Sequence, residues 1–152
     1  MKGRICSINL SKNKGTGKNP VNESKLIKNF GLETDAHSGP GIRQVSLLAL
    51  ESINEQNSRL IAKELKPSLK KGDFAENITT QGIRLLDLKI GDRLKLGARV
   101  VLEISKIGKE CHKRCAIYYK IGDCIMPREG IFAKVIKGGI IRSGDSIEAG
   151  ND

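Results

Sequence analysis

Residues 90–94 have the sequence Ile90-Gly91-Asp92-Arg93-Leu94, and the same order of Gly, Asp, any residue and an apolar residue returns at Ser143-Gly144-Asp145-Ser146-Ile147. A Gly-Asp pair ahead of an apolar residue is typical of a tight turn that leads into a β-strand. Other strand-like runs cover residues 4–10, 44–48, 76–80, 93–96, 99–106, 131–136 and 146–148. Short strands spaced by such turns favour a closed barrel over a layered α/β sheet. We therefore expect a mainly β fold, a closed β-barrel of short strands.

One part of the chain has helical periodicity instead. Over residues 50–66 the apolar side chains that would share a buried helical face are Leu50, Ile53, Leu60, Ile61 and Leu65. Pro67 and then Gly72 would end this helix. Residues 22–29 fit either a short helix or the approach to a strand, and residues 11–20 are a polar loop without the spacing of a phosphate-binding loop. The sequence thus predicts one main helix and a few short helical turns.

The composition is that of a folded domain with an aliphatic core. The chain has 152 residues, 38% of them apolar, with 3% aromatic residues and no Trp. Residues 1–152 fit a single domain, because no linker or boundary divides them. Ile, Leu and Val must then fill the core. No apolar run is long enough to span a bilayer and the first residues lack a signal core, so we expect a cytoplasmic protein with reduced cysteines and no membrane partner.

The formal net charge of +10 has two possible interpretations. It fits either a solvated lysine-rich surface or a positive face for an anionic ligand or an acidic partner protein. The chain lacks the interleaved aromatic residues on which single-stranded nucleic acid stacks, so we do not expect nucleic acid to be its partner.

Three of the four cysteines lie close together in the second half of the chain, at Cys111, Cys115 and Cys124, beside His112. Basic residues at 109 and 112–114 would favour the thiolate form of Cys111, which could carry a persulfide or ligate a soft metal. Alternatively, these cysteines and His112 form a zinc site, although adjacent ligands would strain a tetrahedron. A third interpretation is that they are incidental and buried. Cys6, in a strand-like run, is expected to be a small buried apolar residue.

Four further motifs stand out along residues 30–148. They are Asp35-Ala36-His37-Ser38-Gly39, the signature Gly72-Asp73-Phe74-Ala75-Glu76-Asn77-Ile78-Thr79-Thr80-Gln81-Gly82, the turn Ile90-Gly91-Asp92, and the closing pair of residues 129–135 and 141–145. Together they resemble the motifs of the MOSC domain family, named after the C-terminal domain of molybdenum-cofactor sulfurase. The longer form of residues 108–132 looks like the branch found as free-standing bacterial domains or fused to molybdopterin-assembly proteins.

The resemblance implies a pyruvate-kinase-barrel-like fold and a cysteine just after the strand that follows the first Gly-Asp turn. Here that strand covers residues 100–106, so Cys111 falls at the family position. Many members reach their cysteine through a Pro-containing segment, which Ile107-Gly108-Lys109-Glu110 replaces here, and the choice between Cys111 and Cys115 stays open. Cys111 would be the persulfide carrier or the molybdenum ligand, since a soft thiolate suits both tasks.

The resemblance also suggests roles for other side chains. His112 and Lys109 would raise the thiolate fraction of Cys111, and a pterin phosphate would be held by Arg114, Arg128 and Lys134. Each of these basic residues is otherwise an ordinary surface charge. Glu76 and Asn77 would line the rim of the pocket, or Asn77 would satisfy backbone groups at a barrel crossing. His37 would donate to an anion or act as an acid or base, or it is a structural loop histidine.

The function that the resemblance implies is binding the molybdenum cofactor, or carrying or transferring sulfur on a cysteine. No lysine stands in a context typical of a pyridoxal-phosphate site, so that cofactor would belong to a partner enzyme. The expected partners are a cysteine-desulfurase-type sulfur donor and a molybdopterin-assembly protein or molybdoenzyme. The alternatives are a non-catalytic domain that docks molybdopterin-assembly proteins and a Cys/His zinc-binding domain.

Overall fold

The backbone is mostly β-strand, in a computed structural model that describes residues 1–13, 17–64, 69–108 and 130–150. The strands and the one α-helix of the described residues are, in chain order, β1 (Lys2–Leu10), β2 (Asn19–Val21), β3 (Glu23–Ile27), β4 (Gly31–Leu32), β5 (Val45–Ala49), α1 (Leu50–Ala62), β6 (Ile78–Gln81), β7 (Arg93–Leu96), β8 (Val100–Ile107), β9 (Ile131–Lys137), β10 (Gly139–Arg142) and β11 (Ser146–Gly150). The sequence predicts a few short helical turns, and the described residues contain one, the 3-10 turn Leu85–Asp87.

Seven of these strands close into a barrel, which confirms the predicted fold. Their order around the barrel is β11-β7-β8-β9-β5-β6-β1, and β11 pairs again with β1 to complete the ring. At that seam Lys2 lies opposite Glu148 and Arg4 lies opposite Ser146. β5 and β6 run parallel, since the connection between them contains α1, whereas the other paired strands are antiparallel.

Alternation along the strands fills the barrel with aliphatic side chains. In β7, Leu94 and Leu96 are fully buried while Arg93 and Lys95 are exposed. This is the period of two that a strand with one buried face requires. Each such Leu, Ile or Val contributes roughly 1.5–3 kcal/mol by leaving water, so no large aromatic residue is needed. The larger core cluster includes Ile5, Ile8, Leu47, Ile78, Leu102, Ile104, Ile131, Val135 and Ile147.

Helix α1 covers a second, smaller apolar cluster. Leu47 and Leu48 are neighbours on β5, so their side chains point to opposite faces, the first into the barrel and the second toward the helix. Ile53 and Leu60 of α1 belong to this cluster. Ile61 was expected on the buried face but is 57% exposed, which makes that prediction wrong. Within the described residues no helix is long and apolar enough to cross a membrane.

Tight Gly-Asp turns lead into the strands where the sequence predicts them, at Gly91-Asp92 and Gly144-Asp145. In both, the glycine has a positive φ near 95° and the aspartate side chain accepts from the backbone N–H three residues earlier at 2.8 Å. A third turn of the same form lies at Gly72-Asp73, where glycine was expected to mark a turn, and the corresponding bond from Lys70 N–H is 2.9 Å. Only glycine adopts this backbone conformation at little cost.

A small sheet beside the barrel accounts for the segments that the sequence left open. Residues 22–29 contain strand β3, and the sheet has the order β10-β3-β4. Both β10 and the short β2, which pairs with the end of β1, were missed. β2 contains Pro20, which has no backbone N–H to give to a ladder, so its sequence carries little strand signal.

Candidate functional site

Most side chains predicted to carry the chemistry fall in the connection between β8 and β9. Residues 109–129 lie outside the described residues, and with them the predicted positions Cys111, Cys115, His112, Lys109, Arg114 and Arg128. The structure does describe both flanks of this connection, where the N–H of Gly108 donates to the carbonyl of Gly130 at 2.8 Å. Cys111 is the third residue after this point. The roles of these six residues stay predictions.

A buried ion pair joins the loop after β1 to the loop after β4. Nζ of Lys18 lies 2.8 Å from Oδ1 of Asp35, and both side chains are 0% exposed. The backbone N–H of Ser11 donates to the same carboxylate oxygen at 3.1 Å, and the N–H of His37 donates to the other oxygen at 3.2 Å. The sequence placed Lys18 in a polar loop and gave it no role, so this is the residue that sequence reasoning missed.

The surroundings of Asp35 keep it ionised. Burial alone would raise the pKa of this carboxyl. Hydrogen bonds from Lys18, from the Ser11 N–H and from the side chain of Asn77, together with the charge of Lys18, outweigh burial and hold the pKa below its usual value. A buried charge costs several kcal/mol unless it is paired and hydrogen-bonded, and here both conditions are met.

His37, one of the predicted site residues, lies against this ion pair. Its Nδ1 is 2.8 Å from Nζ of Lys18. The residue itself is partly exposed, whereas Lys18 is enclosed. The imidazole ring thus lies between a buried charge and the protein surface. That position suits either of the functional roles expected of it, which stay predictions.

Glu76, predicted at the rim of a pocket, is fully buried and organises the loop before β6. One carboxylate oxygen accepts from the N–H of Gly72 at 3.0 Å and from the hydroxyl of Thr79 at 2.9 Å, and the other accepts from the N–H of Phe74 at 3.2 Å. Burial raises the pKa of Glu76 above its usual value, although these hydrogen bonds act in the opposite direction. In the described residues Glu76 therefore has a structural task.

Asn77 joins three parts of the barrel, as the structural alternative for it predicts. Its Oδ1 accepts from the N–H of Ser46 on β5 at 3.0 Å, and its Nδ2 donates to the carbonyl of Asn9 on β1 at 3.3 Å. Its side chain also lies near enough to Asp35 to help lower the pKa of that carboxyl. Asn77 thereby connects the strands to the Lys18–Asp35 pair. Whether Glu76 or Asn77 also contacts a ligand stays a prediction.

The remaining candidates lie apart from this cluster. Lys134, expected to hold a phosphate, is a partly exposed residue of β9 opposite Glu103 on β8. Cys6 was expected to be buried, but it is only half-buried, with its Sγ 3.5 Å from Oε1 of Gln81. Among the described residues no group of three or more His, Cys, Asp or Glu side chains could hold a metal ion. The sequence has three further cysteines and His112 in residues 109–129, which lie outside the described part of the chain.

A known protein family matches the part of the chain that contains these residues. The family model of the MOSC domain matches residues 33–148, which include the Asp35–His37 loop, the Glu76-Asn77 signature and the cysteine segment. The chain belongs to the MOSC domain family. The resemblance seen in the sequence is thereby confirmed. No curated protein matches the chain.

Solved structures share the fold of this MOSC domain. The crystal structure of the YuaD protein from Bacillus subtilis superposes with a TM-score of 0.80 at 17% identity, covering 98% of this chain and 96% of that one. YiiM from Geobacillus stearothermophilus gives a TM-score of 0.73 at 20% identity, covering 98% of this chain and 75% of that one. YiiM from Escherichia coli gives 0.69 at 19% identity, covering all of this chain and 71% of that one. At these identities the likeness shows the fold alone.

Proposed function

We propose that this MOSC domain acts in molybdenum-cofactor metabolism, and that Cys111 either carries sulfur as a persulfide or binds the cofactor. The observation that carries the proposal is the family match over residues 33–148, since this range contains both the loop motifs that resemble the family's and the cysteine segment. Cys111 stands at the position where the family resemblance expects the cysteine. Cys115 is the alternative thiol.

The sulfur step needs a donor enzyme with its own pyridoxal phosphate. The thiolate of Cys111 attacks the terminal sulfur of the donor's persulfide, a new S–S bond forms, and the donor's cysteine leaves as a thiolate, so electrons and atoms balance. Lys109 and His112 would keep Cys111 deprotonated for this attack. The acceptor would be a molybdopterin-assembly protein or a molybdoenzyme.

For the cofactor-binding form of the proposal, the donor chemistry of this chain fits molybdenum. A cysteine thiolate is a soft ligand of the kind that suits this metal, and Arg114 and Arg128 would offer charge-assisted bonds to a pterin phosphate. When bound, the cofactor would supply molybdenum that can exchange oxygen or sulfur ligands. The protein residues would hold and orient it.

Intact-mass spectrometry tests the proposal directly. The wild-type protein is incubated anaerobically with a cysteine desulfurase and cysteine, in parallel with Cys111→Ser, Cys115→Ser and, as a matched control outside the segment, Cys6→Ser. We expect a gain of about one sulfur atom that only Cys111→Ser abolishes. Loss in Cys115→Ser alone would transfer the role to Cys115.

Metal analysis distinguishes the remaining forms of the proposal. Protein purified from its native host is analysed for molybdenum and zinc, and the same cysteine variants are compared. Molybdenum that depends on Cys111 supports cofactor binding, whereas stoichiometric zinc that depends on several cysteines would replace the proposal with a zinc site. No sulfur and no metal, with retained binding to a molybdopterin-assembly protein, would leave a docking domain and overturn the proposed chemistry.

A further inference from the structure

A row of side chains crosses the outer wall of the barrel at the seam. Lys2 on β1 lies opposite Glu148 on β11, and Glu148 lies opposite Lys95 on β7. Lys95 in turn lies opposite Val101 on β8. Directly opposed residues on neighbouring antiparallel strands point to the same face, with their Cβ atoms about 5 Å apart. These four side chains therefore form one continuous row on the outside of the barrel.

The row lines a cavity of about 540 Å³, whose walls also include Arg93. That volume lies within the range of about 300–1,000 Å³ that is typical of sites for small organic molecules. Arg93 and Lys95 are both exposed and lie two positions apart on β7, so they point to the same face. The partly exposed Val101 provides an apolar surface beside them. The cavity thus combines two neighbouring cations with an apolar wall.

The carboxylates at this wall pair with other cations and leave Lys95 without a counter-ion. Oε1 of Glu148 lies 3.2 Å from Nζ of Lys2. Oε1 of Glu103 lies 3.8 Å from Nε of Arg93, and both of these side chains are well exposed, so water screens this long contact. Among residues 1–13, 17–64, 69–108 and 130–150, no carboxylate lies within ion-pair distance of Lys95. An incoming anion would therefore meet an unpaired lysine and a weakly paired arginine.

Strand β9 adds positive charge at the same wall. Lys137 lies opposite Val101, and Lys134 lies opposite Glu103. Cations thus outnumber carboxylates in the rows that join β11, β7, β8 and β9. The net charge of the chain fits either a solvated surface or a face for an anionic ligand, and the cavity gives this wall a shape that suits the second.

We propose that this cavity binds an organic phosphate monoester, with Lys95 and Arg93 holding the phosphate and Val101 contacting the organic part. A phosphate monoester has about two negative charges at neutral pH and several strong acceptor oxygens, which two adjacent cations can satisfy. The planar guanidinium of Arg93 matches the geometry of a phosphate. No residue of the cysteine segment takes part, so this proposal and the proposed function can fail independently.

Titration of the full-length protein with phenyl phosphate, followed by proton–nitrogen NMR and calorimetry, tests the proposal. We expect saturable binding that shifts the backbone amide signals of Lys95 and Val101. Phenyl phosphate should bind more tightly than inorganic phosphate, because its ring leaves water against the apolar wall. Lack of saturable binding at millimolar concentration, or equal affinity for inorganic phosphate, would overturn the proposal.

Two variants and a matched control locate the site. Lys95→Gln should weaken binding of phenyl phosphate by about tenfold or more, because it removes a charge-assisted hydrogen bond. Lys25→Gln, at an exposed position of β3, removes the same charge and should leave the affinity unchanged. Val101→Ser should reduce the preference for phenyl phosphate over inorganic phosphate. Equal losses in the two lysine variants, or an unchanged preference in Val101→Ser, would contradict the site.

A short polyglutamate peptide distinguishes a small ligand from an acidic partner protein. It is titrated into the wild-type protein and Lys95→Gln under the same conditions. We expect it to bind more weakly than phenyl phosphate, since its carboxylates have no apolar group that fits the wall beside Val101. Tighter binding of the peptide, lost in Lys95→Gln, would replace the phosphate ester with an acidic protein and overturn the proposal.

Discussion

Gly72 and Lys18 are in direct main-chain contact. The N–H of Lys18 donates to the carbonyl of Gly72 at 2.7 Å, and a Cβ atom added at position 72 would lie 2.1 Å from the carbonyl oxygen of Lys18. The turn that contains Gly72 therefore packs directly against the backbone of the buried Lys18, with no room for a side chain at position 72. Since Glu76 also accepts from the N–H of Gly72, this glycine links the Glu76 loop to the Lys18–Asp35 pair.

Gly72→Ala should be far more harmful than the same change in a turn of the same form. Gly72 and Gly91 have φ values of 91° and 96°, but a Cβ at position 91 would meet nothing within 4 Å. Gly91→Ala should thus cost only the backbone strain of about 1–2 kcal/mol. Gly72→Ala adds a clash with Lys18 and should cost about 3 kcal/mol or more. Urea unfolding of both variants measures the difference, and equal losses would contradict the contact.

Glu76→Gln should change the pH dependence of stability. The pKa of Glu76 is raised in the folded protein, so the folded state binds its proton more tightly than the unfolded state. The contribution of Glu76 is therefore greatest below its unfolded pKa and falls as pH rises through the folded pKa. We expect the stability advantage of wild type over Glu76→Gln to shrink over that range. Denaturant unfolding at several pH values checks the sign.

At neutral pH the glutamine variant should still be the less stable protein. The NH2 group of the glutamine amide must face a group that now donates a hydrogen bond to the carboxylate, for example the N–H of Phe74. That buried donor is then left unpaired, which costs about 1–3 kcal/mol. Glu55→Gln on the exposed side of α1 is the control and should have little effect on stability. An advantage of wild type that grew with rising pH would show that the pKa of Glu76 is lowered instead.

Asp35→Asn should show the opposite pH behaviour. The pKa of Asp35 is lowered in the folded protein, so its ionised form stabilises the fold at neutral pH and this contribution is lost as pH falls through the folded pKa. The variant leaves the charge of Lys18 buried without a counter-ion, which should cost about 3–5 kcal/mol. The difference in unfolding free energy between wild type and Asp35→Asn should disappear at acidic pH. A difference that is independent of pH would argue against an ionised Asp35.

Asn77→Ala should loosen the junction between β5 and β1. The side chain accepts from the N–H of Ser46 and donates to the carbonyl of Asn9, both buried, so its loss leaves unpaired groups worth about 1–3 kcal/mol each. Hydrogen exchange should show faster exchange of the Ser46 N–H. Asn57→Ala removes a similar pair of bonds, to the backbone of Leu69, at a half-buried position where water can replace them. If both variants lost the same stability, Asn77 would have no special role.

The barrel could be predicted because its signals are local. Alternation in runs such as residues 93–96 and the Gly-Asp turns both follow from neighbouring residues, and the structure has them where expected. Helix α1 ends at Ala62 and leaves Ile61 exposed, because the face that packs on β5 is narrower than the apolar pattern suggested. The motif around Asp35 and His37 pointed to the loop that contains half of the buried ion pair.

The buried charge could not be predicted in the same way. A lysine in a polar, glycine-containing loop has no local feature that indicates burial, and lysine is almost never enclosed unless it is paired. Lys18 is enclosed because Asp35, seventeen positions later, and His37, nineteen positions later, are brought to it by the tertiary fold. The Asp35 motif was informative, but nothing in the sequence identified its cationic partner.

The seam between β11 and β1 has a consequence for synthesis of the chain. Its strands are residues 146–150 and residues 2–10, so the ring cannot close until nearly all of this sequence has left the ribosome. Until then β1 and β7 each have an edge whose backbone groups await a partner, and such edges can pair with other chains. We therefore expect nascent chains to depend on chaperones until β11 has emerged, and to fold slowly for their size, because the final contacts join distant parts of the sequence.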